Sequence, residues 1–136
     1  KPLTIIAGPC VIESEAVIFQ TVEKLKQVCQ QQNVQFVFKS SYRKANRTSV
    51  KGFTGLPFTE AVKILRAVKE TYGVPVITDV HNELEVPVVA EVVDVLQIPA
   101  FLCRQTDLLI AAGRTGRVVN IKKGQFLNSE LRSDDG

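Results

Sequence analysis

The chain contains no apolar run approaching the roughly 20 residues that a membrane-spanning helix needs, and Lys1-Pro2-Leu3-Thr4 lacks the charged, apolar and small-residue regions of a signal peptide. A cytoplasmic protein with no membrane partner is the expectation. Cysteine is scarce: Cys10, Cys29 and Cys103 are odd in number and far apart, which excludes a disulfide framework and reads as reduced thiols. Histidine is scarcer still, with His81 alone. No His/Cys cluster falls at metal-ligand spacing, and no nucleophile triad can be assembled. No Gly-x-Gly-x-x-Gly follows the first apolar run, so a dinucleotide-binding fold is unsupported. Internal repeats and low-complexity stretches are also missing.

What remains is the composition of one ordinary globular domain, with 136 residues, 45% of them hydrophobic and 23% charged. The formal charge of +3 is unevenly spread. Lys39, Arg43, Lys44, Arg47 and Lys51 lie together with no acid among them, leaving 12 cations against 14 acids elsewhere. Such a cluster attracts anions; a solvated basic loop is the plain alternative. Nucleic-acid binding through this segment is disfavoured, because only Tyr42 and Phe53 supply interleaved aromatics.

Short β-branched or aromatic runs recur at Leu3 to Ala7, Val34 to Phe38, Val74 to Val80, Val92 to Ile98 and Val118 to Ile121, each bounded by turn residues. They read as buried parallel strands. Between the first two, Ser14 caps a helix whose Ile18, Val22, Leu25 and Cys29 form one stripe. Thr59 precedes a second helix with Ala61, Leu65, Val68 and Tyr72 at the same spacing and Gly73 as its stop. A third is expected over Val86 to Glu91, with Pro87 in its first turn, and a fourth from Thr106 to Ala112, ended by Gly113. The order βαβαβαβαβ predicts an α/β fold, and a barrel is preferred to a doubly wound sheet. A complete eightfold barrel takes about 250 residues. The polar stretch 128–136 reads as a tail, which leaves 1–127 as the β/α domain.

In β/α folds ligands bind at the carboxyl ends of the strands. There the chain places Cys10, Lys39-Ser40-Ser41, Asp79 and His81, Gln97 with Arg104 beyond it, and Lys122-Lys123. A lysine at the inner end of a buried strand needs a partner. Lys39, Lys44, Arg104 and Lys122 outnumber the nearby acids, Asp79 and Asp107, which points to a phosphate or carboxylate from outside; snorkelling to solvent is the alternative for each lysine alone. On spacing alone Cys10 reads first as a small buried hydrophobe, with thiolate ligand or nucleophile as the alternative. His81 is open between general base, metal ligand and satisfied hydrogen-bonder.

Taken in order, Ile6-Ala7-Gly8-Pro9-Cys10-Val11-Ile12-Glu13-Ser14, Phe38-Lys39-Ser40-Ser41, Lys44-Ala45-Asn46-Arg47-Thr48-Ser49, Thr78-Asp79-Val80-His81, the run from Gln97 to Asp107 and Asn120-Ile121-Lys122-Lys123-Gly124-Gln125-Phe126 resemble the 3-deoxy-D-manno-octulosonate 8-phosphate synthases, also called 2-dehydro-3-deoxyphosphooctonate aldolases. The related synthase of the aromatic seven-carbon precursor has Lys-Pro-Arg where this chain has Lys44-Ala45-Asn46-Arg47. The resemblance implies the first five β/α steps of a (β/α)8 TIM barrel. It implies a transferase that condenses phosphoenolpyruvate with arabinose 5-phosphate and water, on the way to the sugar acid of lipopolysaccharide. By the same resemblance Lys39, Lys44, Gln97, Arg104 and Lys122 surround phosphoenolpyruvate, with Lys44 and Lys122 as catalytic residues. Asn46, Arg47 and Thr48 hold the sugar phosphate, partly across a subunit boundary of a homotetramer. Cys10 matches a ligand of the divalent metal in the metal-dependent class, which reverses the plain reading of that residue.

Three departures accompany the match. Arg43 stands where the family usually has an aspartate, adding charge beside the site, and Leu56-Pro57 replaces a more usual Pro-Gly. After Leu127 the family continues through three more strands that carry a further arginine and the remaining metal ligands. A half-barrel that binds phosphorylated ligands without catalysis, or a truncated product, is therefore the alternative expectation. Its open sheet edges would favour pairing or loose packing.

Overall fold

A computed structural model of the chain describes residues 3–43 and 56–122. Five strands, β1 (Thr4–Ala7), β2 (Gln35–Lys39), β3 (Val76–Asp79), β4 (Val95–Ile98) and β5 (Val118–Ile121), form one parallel sheet. They alternate with α1 (Glu15–Gln31), α2 (Phe58–Tyr72), α3 (Val86–Ala90) and α4 (Thr106–Arg114). A short 3-10 turn, Ala100–Leu102, follows β4. The strand order is strictly sequential, β1-β2-β3-β4-β5. A doubly wound sheet reverses its order at a switch point, and no reversal occurs here. Neighbouring helices also pack on one another, α1 on α2 and α3 on α4, as they do in the outer ring of a barrel. The architecture is the β/α-barrel type expected from the sequence, through five strands.

The helices start and stop for identifiable reasons. The Ser14 hydroxyl accepts the Val17 amide at 3.2 Å at the head of α1, as its cap role predicts. At the other end Asn33 takes a left-handed φ of 56°. Val34 N donates to Cys29 O at 2.9 Å and Asn33 N to Gln30 O at 3.2 Å, which is the paired closure of a Schellman turn. Gly73, at φ 64°, closes α2 by donating to Lys69 O. Two expected boundaries move. Thr59 lies inside the first turn of α2, whose cap is Pro57 with no side-chain bond. Gly113 stays inside α4, which runs to Arg114, and the chain turns instead at Gly116, φ 76°. The first, third and fourth expected strands shorten, the second shifts by one residue and the fifth keeps its bounds; Val92 and Val93, for instance, donate back to Val89 O and close α3 rather than opening β4. β1 and β5, expected to be buried, are largely exposed because they form the two edges of the sheet.

The core lies between the sheet and the helices. Phe36, Phe38, Val76, Leu96 and Ile98 from the strands, with Val80 just past β3, meet Ile18, Val22, Leu65, Val68, Val86 and Leu108 from the helices. Tight packing there fixes which way the sheet faces. At the far end of the strands, Asp94 ties α2 to the sheet: both its oxygens accept Lys69 Nζ at 2.6 Å, and Oδ2 accepts Val76 N at 2.8 Å. Partial burial would raise the Asp94 pKa, but the bonds from Lys69 and Val76 outweigh it and hold the carboxyl below its ordinary value. The sign follows: this contribution is present above the unfolded carboxylate pKa, near 4, and is lost as pH falls through the depressed folded value. Because the pair is half exposed, Asp94→Asn is expected to lower stability by only about 1 kcal/mol at pH 7 and to flatten the acid limb. Urea unfolding at pH 7 and pH 3 checks both.

Candidate functional site

Side chains alternate across a strand, so the core membership of Phe38, Val76, Leu96 and Ile98 assigns the opposite face to their neighbours. The register pairs Lys39 with Ile77, Asp79 with Gln97, and Gln97 with Asn120. Lys39, Asp79, Gln97 and Asn120 therefore share the face turned away from the helices, near the carboxyl ends of their strands. Lys122 continues that alternation, its amide donating to Ile98 O at 3.0 Å. Sequence alone left the inward face undecided. Gln97 is buried, and its Oε1 accepts Asn120 Nδ2 at 3.1 Å, which leaves the Gln97 amide hydrogens to a ligand or to other groups.

The exit of β1 is laid against the exit of β2. Ser40 Oγ donates to Pro9 O at 2.8 Å, Ile12 N donates to Ser41 O at 2.9 Å, and Val11 bridges Ser41. Thr78 Oγ1, on the core side, donates to Ser40 O at 2.7 Å. Gly8 permits the contact, since a Cβ there would lie 1.9 Å from Lys39 O. Cys10 is thereby carried to the same end of the sheet as Lys39. It is exposed, which corrects the plain reading of a buried hydrophobe; Cys29 is buried on α1 as expected.

Beside β3 lies a network that the sequence reading did not foresee. Tyr42, 1% exposed, donates its hydroxyl to Glu85 Oε1 at 2.9 Å and accepts the His81 amide at 3.2 Å. Arg43 Nη2 donates to the same Glu85 oxygen at 2.6 Å. Arg43, expected to add charge beside the site, is thus paired. The His81 ring stands edge-on to Tyr42, 5.0 Å between centroids. Both its nitrogens, and Asp79 Oδ1, are buried without a hydrogen-bond partner among the described residues. Burial lowers the His81 pKa, partly opposed by the Asp79 carboxylate, so the imidazole is neutral at pH 7 with one donor and one acceptor. Buried polar atoms left unpaired are rare, and among the described residues three of them fall within this one i, i+2 pair.

The sequence-predicted residues thus divide. Lys39, Gln97 and Lys122 are brought to one face, and Arg104 is exposed beyond the turn after β4. Lys44, Asn46, Arg47 and Thr48 lie outside the described residues, as does the expected tail 128–136. Among the described residues no group of three or more His, Cys, Asp or Glu side chains could hold a metal ion. A lone Cys10 does not fit a divalent metal, which takes three or four ligands. No described helix is long and apolar enough to cross a membrane. A cavity of about 490 Å³ between Pro87, Ala90, Ala111 and Arg117 lies at the opposite end of the sheet from these groups.

A singly wound parallel sheet alternating with helices, with cationic and amide side chains at the carboxyl ends of its strands, defines a protein of the β/α-barrel class. Within that class, the model of the DAHP synthetase I family matches residues 1–132, and the chain belongs to this family. Two curated relatives are called 2-dehydro-3-deoxyphosphooctonate aldolase. The one from Citrifermentans bemidjiense is 56% identical over 127 residues, 93% of this chain and 46% of the relative. The one from Campylobacter jejuni subsp. jejuni serotype O:23/36 is 56% identical over 128 residues, 94% of this chain and 47% of the relative. The chain spans about half the length of the curated relatives it matches.

Proposed function

We propose that the chain carries the phosphoenolpyruvate-binding half of a transferase that condenses phosphoenolpyruvate with arabinose 5-phosphate and water, releasing inorganic phosphate and forming an eight-carbon sugar acid phosphate. The observation that carries this reading is the convergence of Lys39, Gln97 and Lys122 on one sheet face, in a family whose relatives bear the aldolase name. Lys39, Lys122 and Arg104 supply positive charge for the phosphate and carboxylate. The Gln97 amide donates to an oxygen, and these preset donors stabilise charge as C2 is attacked. Lys44 serves the aldehyde, donating a proton to the alkoxide that forms; Asn46, Arg47 and Thr48 hold the sugar phosphate, partly across a subunit boundary in a homotetramer. The two phosphorylated substrates suit a cytoplasmic enzyme of lipopolysaccharide precursor synthesis. In this reading Cys10 is a ligand of a divalent metal only together with groups outside the described residues.

The experiment is calorimetric titration of the chain with phosphoenolpyruvate, followed by a phosphate-release assay with both substrates. Saturable binding in the micromolar to millimolar range, common for substrates, is expected. No binding would reject the assignment. Binding without phosphate release would favour the second reading, a ligand-binding half-barrel, which the match to only about half of each relative supports.

A further inference from the structure

We propose that Tyr42, Arg43 and Glu85 form a clamp across the loops after β2 and β3 that positions His81 for the ligand of this site. The proposal deepens the phosphoenolpyruvate reading and rests on it for the ligand's identity. The clamp's geometry is its own evidence. One carboxylate oxygen, Glu85 Oε1, takes the Tyr42 hydroxyl at 2.9 Å and the Arg43 guanidinium at 2.6 Å. The same hydroxyl accepts the backbone amide of His81 at 3.2 Å. The Arg43 guanidinium also lies over the Tyr42 ring, 5.5 Å from its centroid. Tyr42 is itself fixed between Phe58 and His81 by edge contacts with centroid distances of 5.1 and 5.0 Å.

Glu85 is held as firmly from its own side. Its amide donates to Asn82 Oδ1 at 3.0 Å, and its carbonyl accepts Val89 N at 3.0 Å, the first turn of α3. The carboxylate therefore hangs on a capped turn. Burial first, and then the Glu85 carboxylate, push the Tyr42 phenol well above its ordinary pKa, so it stays protonated and able to donate. A buried tyrosine needs one partner for its hydroxyl; this one has two, and the second is the backbone of the residue whose ring nitrogens have no partner among the described residues. A network that satisfied only packing would have no reason to end at such a group. Arg43, found where the family usually has an aspartate, is here matched by an acid from the next loop, which makes the two positions interdependent.

Because His81 is the only histidine, its ring gives a single set of nitrogen-15 signals, and the test reads them directly. Tyr42→Phe keeps the ring contacts and removes only the hydroxyl. Its expected result is a displaced or broadened His81 ring signal and a Kd for phosphoenolpyruvate weakened about fivefold or more. Glu85→Gln, which keeps an acceptor and loses the charge, should move both readouts in the same direction by less, and the exchanged pair R43E/E85R should recover part of the loss. An unchanged His81 spectrum and unchanged affinity in folded Tyr42→Phe protein would overturn the clamp; where that variant fails to fold, Glu85→Gln decides it by the same two readouts. If phosphoenolpyruvate does not bind the parent chain, the functional reading falls, while the histidine spectrum alone still decides whether the clamp positions His81.

Discussion

Gly8→Ala is expected to destabilise the chain by about 3 kcal/mol or more, the upper end of what overpacking costs, and to lower Tm by roughly 10 °C. The added Cβ would sit 1.9 Å from Lys39 O, 2.9 Å from the Lys39 carbonyl carbon and 2.9 Å from Phe38 Cε1. The first two are backbone atoms of a paired strand and cannot rotate aside as the end of a flexible side chain would. Either β1 or β2 must shift, and with it the bonds of Ser40 to Pro9 and Ile12 to Ser41. The substitution should therefore also weaken ligand binding at Lys39. Gly113→Ala is the control. Gly113 lies within α4 with nothing within 4 Å of its added Cβ, so the gain in helix propensity should be neutral to about 1 kcal/mol stabilising. Equal melting of Gly8→Ala and parent protein by circular dichroism would sink the close-approach argument.

Much of this fold was legible because its determinants are local. The Ile18, Val22, Leu25, Cys29 stripe and the Ser14 cap define α1 within seventeen residues, and the runs of β2, β3 and β4 are buried on the side the core needs; those of β1 and β5, at the two edges of the sheet, stay largely exposed. Gly73 could be read as a stop because only a left-handed residue closes α2 there. Gly113 misled for the complementary reason: a glycine in a helix interior costs little when neighbouring contacts of Leu108 and Ala112 hold the helix. Thr59 misled as the residue preceding α2 because Pro57, fixed in φ, can open a helix without any side-chain bond. Such boundaries depend on which of two local options tertiary packing selects.

The residues of the candidate site could be picked from the sequence, but not the face they share. Lys39, Gln97 and Lys122 stood out as polar residues at strand ends, yet their common face follows only from the register of pairs such as Asp79 with Gln97, a nonlocal fact. The Glu85 network was less visible still. Its members are 42 and 43 residues apart in the chain, and nothing in the local pattern of Glu85 separates it from the exposed Glu83 two residues earlier. The resemblance to a known family likewise identified Arg43 as a departure without indicating its partner. The structure supplies that partner, and the added charge is balanced rather than directed at a ligand.

Lys39→Ala carries the largest expected effect on binding. Lys39 is half-buried on the side of β2 turned away from the helices, directly beside Ile77 in register and one strand from the face of Asp79 and Gln97. A charge-assisted hydrogen bond from such an ammonium to phosphate or carboxylate contributes about 1.5–3 kcal/mol, so removing it should weaken phosphoenolpyruvate binding by roughly 10- to 150-fold. The side chain is not part of the core cluster, so the fold should survive with a change in stability of about 1 kcal/mol or less. Lys39→Arg separates charge from shape: if the lysine acts as a point charge, arginine should restore part of the affinity, and if its reach is what counts, the bulkier fork should not. Lowering salt should strengthen binding to the parent chain more than to Lys39→Ala, because one screened attraction has been deleted. Equal affinity of parent and Lys39→Ala for phosphoenolpyruvate, measured by calorimetry at the same ionic strength, would remove Lys39 from the site and leave Lys122 and Arg104 to carry the anion.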